Sequence, residues 1–260
     1  MDEYLTIVLH SFHKSVSMYA GYLNFAHFVL TLATCKKEWV SKHTRMNPAA
    51  CFFLSLLTCT AGGVITAILT QNKPIIDVLL FGHNDYVSMG LFAICWWLIF
   101  YCPGDYFSKI MAMPGISHIL YVMKEALRCK KIWYGVKLGN TLQPNHPFIL
   151  SILLGTIASC GSGFMINIGR FITNRPYNGQ VLLSTTFLTR FSFILALVYA
   201  VLPQHFHVIY LVQFSIMVSY KLHLVPVDRL LGKLIDLPAC ILFELTSAVD
   251  EKPKETKKTK

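Results

Sequence analysis

The sequence predicts an all-α polytopic membrane protein with seven transmembrane helices, of which the first six form an inverted 3+3 repeat. The composition is the first observation behind this prediction: 54% of the 260 residues are hydrophobic and only 14% are charged, which is too apolar for an ordinary soluble domain. The second is a series of apolar segments of about 20 residues, the length of helix that crosses a bilayer. The third is a proline and glycine spacing that occurs twice.

The apolar segments are the candidate spans. In chain order they cover residues 16–35, 48–70, 86–107, 116–136, 148–170, 181–202 and 206–225. They leave only short connections, so we expect one membrane domain over residues 1–227, with repeat 1 at about 1–110, repeat 2 at about 113–202 and the seventh helix at about 206–225. Residues 228–260 are expected to form a cytosolic tail whose lysine-rich end is disordered.

The second and fifth spans carry the repeated spacing. Pro48 opens one and Pro147 opens the other, and Gly62 and Gly161 follow fourteen positions later. Three is an odd number of spans, so the second copy must run with inverted topology, an arrangement typical of transport proteins. The pairs Gly62-Gly63 and Gly161-Ser162-Gly163 either kink their helices beside a path through the protein or allow ordinary close packing of helices. Because the glycines recur in both copies, we favour kinks.

The fourth span has the length of a membrane helix but carries several charges. Lys124, Arg128 and Lys131 share one helix face, since positions three and four apart are neighbours. This stripe fits an amphipathic helix in the headgroup region, a spanning helix with charges paired inside a bundle, or a water-lined site for an anion. Glu125 can pair with Arg128, but one carboxylate does not offset the basic residues nearby. We therefore expect a second anion, which a phosphoinositide headgroup would supply.

Two further basic residues lie in later spans. Arg190 is near the middle of the sixth, where arginine costs about 2.5–3.5 kcal/mol to insert and must face a partner or water. Lys221 lies in the seventh. Charges on a mobile span also respond to voltage, at about 2.3 kcal/mol per charge moved through 100 mV. The candidate pore and gating residues are therefore Gly62, Gly63, Gly161, Gly163, Glu125, Arg190 and Lys221.

Other classes of function are not indicated. The sequence has no Walker loop, no His-Glu-x-x-His, no Gly-x-Ser-x-Gly and no carboxylate pair in a span, so we expect no enzyme, no catalytic residue and no cofactor beyond the lipid. The eight cysteines include no Cys-x-x-Cys pair, so free thiols are expected rather than a metal site or structural disulfides. Membrane orientation and anionic lipid account for the net charge of +10, so nucleic acid is not expected as a partner.

Lysine and arginine in the short connections predict the orientation. Basic residues follow the first span, separate the fifth from the sixth, and fill the tail. We expect these three regions to be cytosolic and the N-terminus to lie on the far side of the membrane. The terminal Lys257-Lys258-Thr259-Lys260 resembles a dilysine retrieval signal of the endoplasmic reticulum, which would make that far side the lumen.

Several motifs in order resemble the trimeric intracellular cation (TRIC) channel family. They are Gly62-Gly63, Phe100-Tyr101-Cys102-Pro103-Gly104-Asp105, Met123-Lys124-Glu125-Ala126-x-Arg128, Gly161-Ser162-Gly163, Thr189-Arg190 and Ser219-Tyr220-Lys221. The resemblance implies a homotrimer in the endoplasmic or sarcoplasmic reticulum with a separate pore in each subunit. It implies voltage-dependent passage of monovalent cations, chiefly potassium, which balances charge during calcium release. It also implies that phosphatidylinositol 4,5-bisphosphate binds near Lys124 and Arg128.

Two alternatives from other classes stay open at the level of sequence. A seven-span receptor would need neither the repeat nor basic residues in mid-span. A small-solute transporter with three spans, a linker span and three more would have parallel copies, whereas here the copies are consecutive and the extra span is last. Only a channel would give discrete current steps without a coupled substrate.

Overall fold

The computed structural model describes residues 19–40, 47–81, 86–144, 147–172 and 187–222, and in these ranges the chain forms helices and no strand. The α-helices are α1 (Ala20–Trp39), α2 (Pro48–Thr70), α3 (Ile75–Leu79), α4 (Tyr86–Tyr101), α5 (Tyr106–Met111), α6 (Ile116–Leu142), α7 (Pro147–Ile172), α8 (Phe187–Val201) and α9 (Phe206–Lys221). Short 3-10 turns at Pro103–Asp105 and Pro203–His205 precede α5 and α9. The predicted tail, 228–260, lies outside the described residues.

Local sequence signals account for the bounds of α2. The side chain of Asn47 accepts a hydrogen bond from the backbone N–H of Ala49 at 2.9 Å, and Pro48 occupies the first turn, where its missing N–H is not needed. At the other end Gln71 adopts a left-handed conformation with φ of 50°, which ends the helix. The predicted span 48–70 is confirmed in both bounds.

Two of the predicted spans meet sharp bends. Tyr86–Tyr101 and Pro103–Met111 are bent by 98°, and Phe187–Val201 and Pro203–Lys221 by 108°. A proline disfavours the helical conformation of the residue before it. One non-helical residue therefore separates the end of each helix from the proline that follows. The predicted third span, 86–107, is therefore broken by this bend, and the pair of helices counts as one span only if the bend lies within it. The second bend falls between the predicted sixth and seventh spans.

Two helices of the described chain, Pro48–Thr70 and Phe148–Ile172, are long and apolar enough to cross a membrane, and up to four spans result if each bent pair is one span. The number of seven spans and the 3+3 repeat stay predictions. α1 and α6, the first helices of the two proposed copies, run antiparallel: Lys124 of α6 contacts Thr31 of α1, and Lys131, further along α6, contacts the earlier His27. Inverted copies require that relation.

Two apolar clusters form the core, and α6 contributes to both. The first lies between α1, α2 and α4 with Leu120 of α6, and it contains the edge-to-face rings of Phe28 and Phe92. The second lies between α7, α8 and α9 with the later turns of α6, where Trp133 stacks on Phe206 at 4.0 Å between centroids. α7 approaches α6 closely, because Gly135, Gly139 and Gly155 present no side chain at the contact.

Polar contacts tie the C-terminal end of α1 to the neighbouring helices. Lys36 pairs with Asp105 at 2.5 Å and donates to the carbonyl of Ile99 at 2.7 Å, next to the first bend. Glu38 pairs with Arg170 at the end of α7, with 2.6 Å between Oε2 and Nη2. The ends of α1 and α7 therefore lie on the same side of the molecule, as the predicted orientation of their connections requires.

Candidate functional site

The basic stripe of α6 faces the interior and lines a cavity between α1, α6 and α7. The empty space around its lining is about 250 Å³ and includes open solvent, whereas the enclosed part has room for about one water molecule. Seven residues line it: His27, Lys124, Leu127, Arg128, Lys131, Ser159 and Ser162. Three of these are basic and none is a carboxylate, so the lining of the cavity is positive. Of the three interpretations of the stripe, an amphipathic helix in the headgroup region does not fit this inward-facing geometry, and the paired-charge and anion-site interpretations both stay predictions.

The lysines at the two ends of the stripe rest against α1. The Lys124 ammonium donates to the hydroxyl of Thr31 at 3.2 Å. The Lys131 ammonium lies 3.5 Å from Nε2 of His27, a ring nitrogen that also lies 3.0 Å from the carbonyl oxygen of Cys59 in α2. The hydroxyl of Thr31 therefore holds the Lys124 ammonium at the wall that α1 provides, and the Lys131 ammonium lies beside the His27 ring of the same wall.

Arg128, in the middle of the stripe, is paired with Glu125. Its Nε lies 3.2 Å from Oε2 of Glu125, whose side chain is 0% exposed. Neither oxygen of Glu125 has a partner that satisfies hydrogen-bond geometry in the described part of the chain. Glu125 does not line the cavity, so its carboxylate compensates the charge of Arg128 from outside the cavity. The lining itself carries no negative charge.

The repeated glycines meet at the crossing of α2 and α7. A Cβ atom on Gly161 would overlap the backbone of Gly62, and one on Gly62 would overlap the carbonyl group of Ala158. Ser159 and Ser162 line the cavity on either side of Gly161, so the crossing borders the cavity. Both helices run unbroken through their glycines. Gly62 and Gly161 therefore provide close packing, the alternative interpretation, while the predicted kinks stay a prediction.

The remaining predicted pore and gating residues lie apart from the cavity wall. A Cβ on Gly63 would meet the side chain of Val78, and one on Gly163 would have no heavy atom within 4 Å. Arg190 lies in α8 and is half-buried. Lys221 ends α9, with its ammonium 5.9 Å from the centre of the Tyr121 ring of α6. The structure does not test a gating role for any of them.

The site also contains residues that were not among the predicted ones. His27 is 7% exposed, and the general rule that an ionisable residue inside a membrane helix is functional until shown otherwise would have selected it. Lys131 belonged to the stripe but was left out of the predicted lipid contacts. Ser159 and Ser162 had no signal of their own, because small polar residues are common in membrane helices.

The cysteines of the described residues bear on one of the remaining expectations. Every cysteine in the described ranges is a free thiol, as predicted. Within those ranges no group of three or more potential ligands is placed to hold a metal ion.

Comparison with known proteins identifies what this architecture is similar to. A sequence model described as TRIC channel matches residues 38–231. A trimeric intracellular cation channel of type 1B.1 from Caenorhabditis elegans is 29% identical over 212 residues, which cover 77% of this chain and 70% of that protein. A type B channel from Danio rerio is 23% identical over 164 residues, or 62% of this chain. The chain spans only 55% of that protein's length.

Solved structures give the same result for the fold. A trimeric intracellular cation channel from C. elegans, determined in the absence of Ca²⁺, superposes with a TM-score of 0.69 at 25% sequence identity, over 84% of this chain and 95% of that one. The same kind of channel with bound Ca²⁺ gives a TM-score of 0.67 over 83% of this chain and 95% of that one. A structure reported for TRIC counter-ion channels in calcium release matches at 20% identity with a TM-score of 0.67, over 78% of this chain and 91% of that one.

Proposed function

Because this chain belongs to the TRIC channel family, we propose that it is a channel for monovalent cations, chiefly potassium, and that it provides counter-ion flux when calcium leaves an intracellular store. The similar proteins carry the name of trimeric intracellular cation channels, and one related structure is described as a counter-ion channel in calcium release. We place the protein in the membrane of the endoplasmic or sarcoplasmic reticulum, as a homotrimer with one pore in each subunit.

The observation that carries this proposal is the basic cavity beside the crossing of Gly62 and Gly161. A cation path that passes Lys124, Arg128 and Lys131 meets repulsion, because unit charges about 4 Å apart interact by about 4 kcal/mol at an effective dielectric constant of 20. An anion seated in the cavity removes this barrier. We propose that a phosphoinositide headgroup, phosphatidylinositol 4,5-bisphosphate, is that anion and that its phosphates bind Lys124 and Arg128.

The proposed gating follows from the same charges. A basic residue that moves through the whole membrane field changes the free energy by about 2.3 kcal/mol per 100 mV. Lys124 and Arg128 in α6, Arg190 in α8 and Lys221 in α9 are the charges that we assign to voltage dependence. Gly62 and Gly161 keep α2 and α7 in contact at the crossing.

Single-channel recording in planar bilayers tests the proposal. In symmetric potassium chloride and then under a potassium gradient, the wild type should give discrete steps whose reversal potential follows potassium. The variant Lys124→Ala/Arg128→Ala should lose the steps or their dependence on added phosphoinositide. Lys130→Ala is the matched control, because it removes a neighbouring lysine of α6 that does not line the cavity.

Equal currents from the double variant and the wild type would support the channel function but contradict the binding of lipid by Lys124 and Arg128. No steps from well-folded wild type, with phosphoinositide present, would contradict the channel and favour a coupled transporter.

A further inference from the structure

We propose that Trp39 is a gate residue at the expected cytosolic end of the ion path, where its side chain fills the space between α2 and α7 and the ion pair of Glu38 with Arg170 holds it in place. The inference rests on the proposed channel function. It concerns the contact between the end of α1 and the last turns of α7, which lies outside the basic cavity.

The course of α2 and α7 is the first argument. The two helices touch at Gly62 and Gly161 and run in opposite directions. Trp39 packs with Leu54 of α2 and Ile166 of α7, which lie eight and five residues from those glycines, or about 12 and 8 Å along the helix axes. Helices that cross at an angle move apart on either side of the point of contact. Trp39 therefore fills the space that opens between α2 and α7 toward the end of α1.

The fit of the Trp39 side chain is the second argument. It is 0% exposed, and its indole N–H donates to the carbonyl oxygen of Ile166 at 3.2 Å. A Cβ atom on Gly169 would overlap the indole ring, so α7 accepts the ring because residue 169 has no side chain. The space is thus closed to water by a side chain, which can leave by a change of rotamer, whereas the crossing at Gly62 is closed by backbone.

The ion pair beside the ring is the third argument. Nε and Nη2 of Arg170 both contact Oε2 of Glu38, at 2.8 and 2.6 Å. Glu38 precedes Trp39 and Arg170 follows Gly169, so the pair joins the same two turns that enclose the indole ring. The paired side chains are 26% and 24% exposed. An ion pair within reach of solvent is weak and sensitive to salt, which suits a contact that has to open.

The predicted repeat gives this arrangement to one end of the path. Lys130-Lys131-Ile132-Trp133 of α6 is equivalent to Lys36-Lys37-Glu38-Trp39 of α1, and the repeated proline and glycine spacing places Gln71 at the position of Arg170. Isoleucine and glutamine form no ion pair. The tryptophan of α6 instead stacks on Phe206. The proposed gate therefore belongs to the end of the path at which α1 and α7 terminate.

Single-channel recording of charge variants tests the ion pair. Full-length protein is recorded in planar bilayers that contain phosphoinositide, in symmetric potassium chloride. Glu38→Gln and Arg170→Gln should each raise the ratio of open to closed time about threefold, with the unit current unchanged, since a partly exposed pair contributes modestly. The exchanged pair, Glu38→Arg/Arg170→Glu, should return the ratio toward the wild-type value. Lys37→Gln is the matched control, because it removes an exposed charge from the same turn and should change nothing.

Variants of the tryptophan test the closure itself. Trp39→Ala empties the space between α2 and α7 and should raise the ratio of open to closed time at least about tenfold. Trp39→Phe keeps an aromatic ring but loses the N–H donor, and should raise the ratio about threefold. Where Trp39→Ala does not fold, Trp39→Phe carries the test. Trp97→Ala is the control, since Trp97 of α4 is 54% exposed and lies outside this contact.

Wild-type ratios of open to closed time in the variants of Trp39 would overturn the gate whatever their thermal stability, because the ring would then act only in packing. Raised ratios in the single charge variants that the exchanged pair does not reverse would overturn the role of the ion pair. A wild type without current steps would contradict the channel and the gate together, whereas normal wild-type steps with unaffected variants would contradict the gate alone.

Discussion

At the scale of residues, the inward-facing charges of α6 depend on partners from other helices. Thr31 and His27 come from α1, and the carbonyl that fixes His27 comes from α2. Helical spacing predicted which basic residues share a face. It did not predict these partners, because sequence distance carries no information about which side chains of α1 oppose α6.

Glu125 gives a testable consequence at this scale. Its fully buried carboxylate lies 3.2 Å from Arg128, so each group compensates the charge of the other. In lipid-free protein, Glu125→Gln and Arg128→Gln should each lower the thermal midpoint. The double variant should be more stable than the sum of the single losses predicts, with a coupling energy of about 1–3 kcal/mol.

Glu125→Gln combined with Lys130→Gln serves as the control cycle and should be additive, since Glu125 and Lys130 form no ion pair. Additive losses in the cycle with Arg128 would show that the carboxylate is compensated elsewhere.

At the scale of elements, sequence signals that act over a few residues gave reliable bounds. The N-terminal start of α6 at Ile116 is as predicted, but the helix continues to Leu142 rather than Val136. The prediction ended α6 where hydropathy falls, whereas the six additional residues are stabilised by packing. Gly139 and Asn140 lie against Ser151 of α7, and the Ser151 hydroxyl donates to Oδ1 of Asn140 at 2.6 Å.

The glycines of α7 separate the packing role from the kinking role. Gly161→Ala should destabilise the protein by about 1–3 kcal/mol, because the added methyl group overlaps the backbone of Gly62. Gly163→Ala, two positions away with no atom within 4 Å of the added methyl, should be neutral or stabilising by up to about 1 kcal/mol. Thermal unfolding of the purified variants measures the difference. Equal losses at both positions would favour a need for backbone freedom over close contact.

At the scale of the whole molecule, the antiparallel course of α1 and α6 fixes the sides on which their ends lie. Lys37 is exposed near the end of α1, and Leu142 is 39% exposed at the end of α6. In intact microsomes a membrane-impermeant maleimide should label Lys37→Cys, whose end of the bundle carries the basic connection that we expect in the cytosol. Leu142→Cys should be labelled only after detergent is added.

The parent chain without an introduced cysteine provides the background for this measurement. Labelling of both variants in intact microsomes would contradict the antiparallel arrangement. Labelling of Leu142→Cys alone would support the antiparallel arrangement but show that the protein lies in the membrane with the orientation opposite to the one expected.

The basic residues in the middle of α6 also affect how the chain is inserted into the membrane. A lysine or arginine at the centre of a helix costs about 2.5–3.5 kcal/mol to insert through the translocon, and α6 carries Lys124, Arg128 and Lys131 within eight residues. Alone, this helix would be a poor substrate for membrane insertion. Its contacts on α1 come from a helix made earlier, whereas the close-packing glycines of α7 follow it. The helix whose basic residues line the cavity of the folded protein is therefore also one whose entry into the membrane is disfavoured by its own sequence and depends on its neighbours.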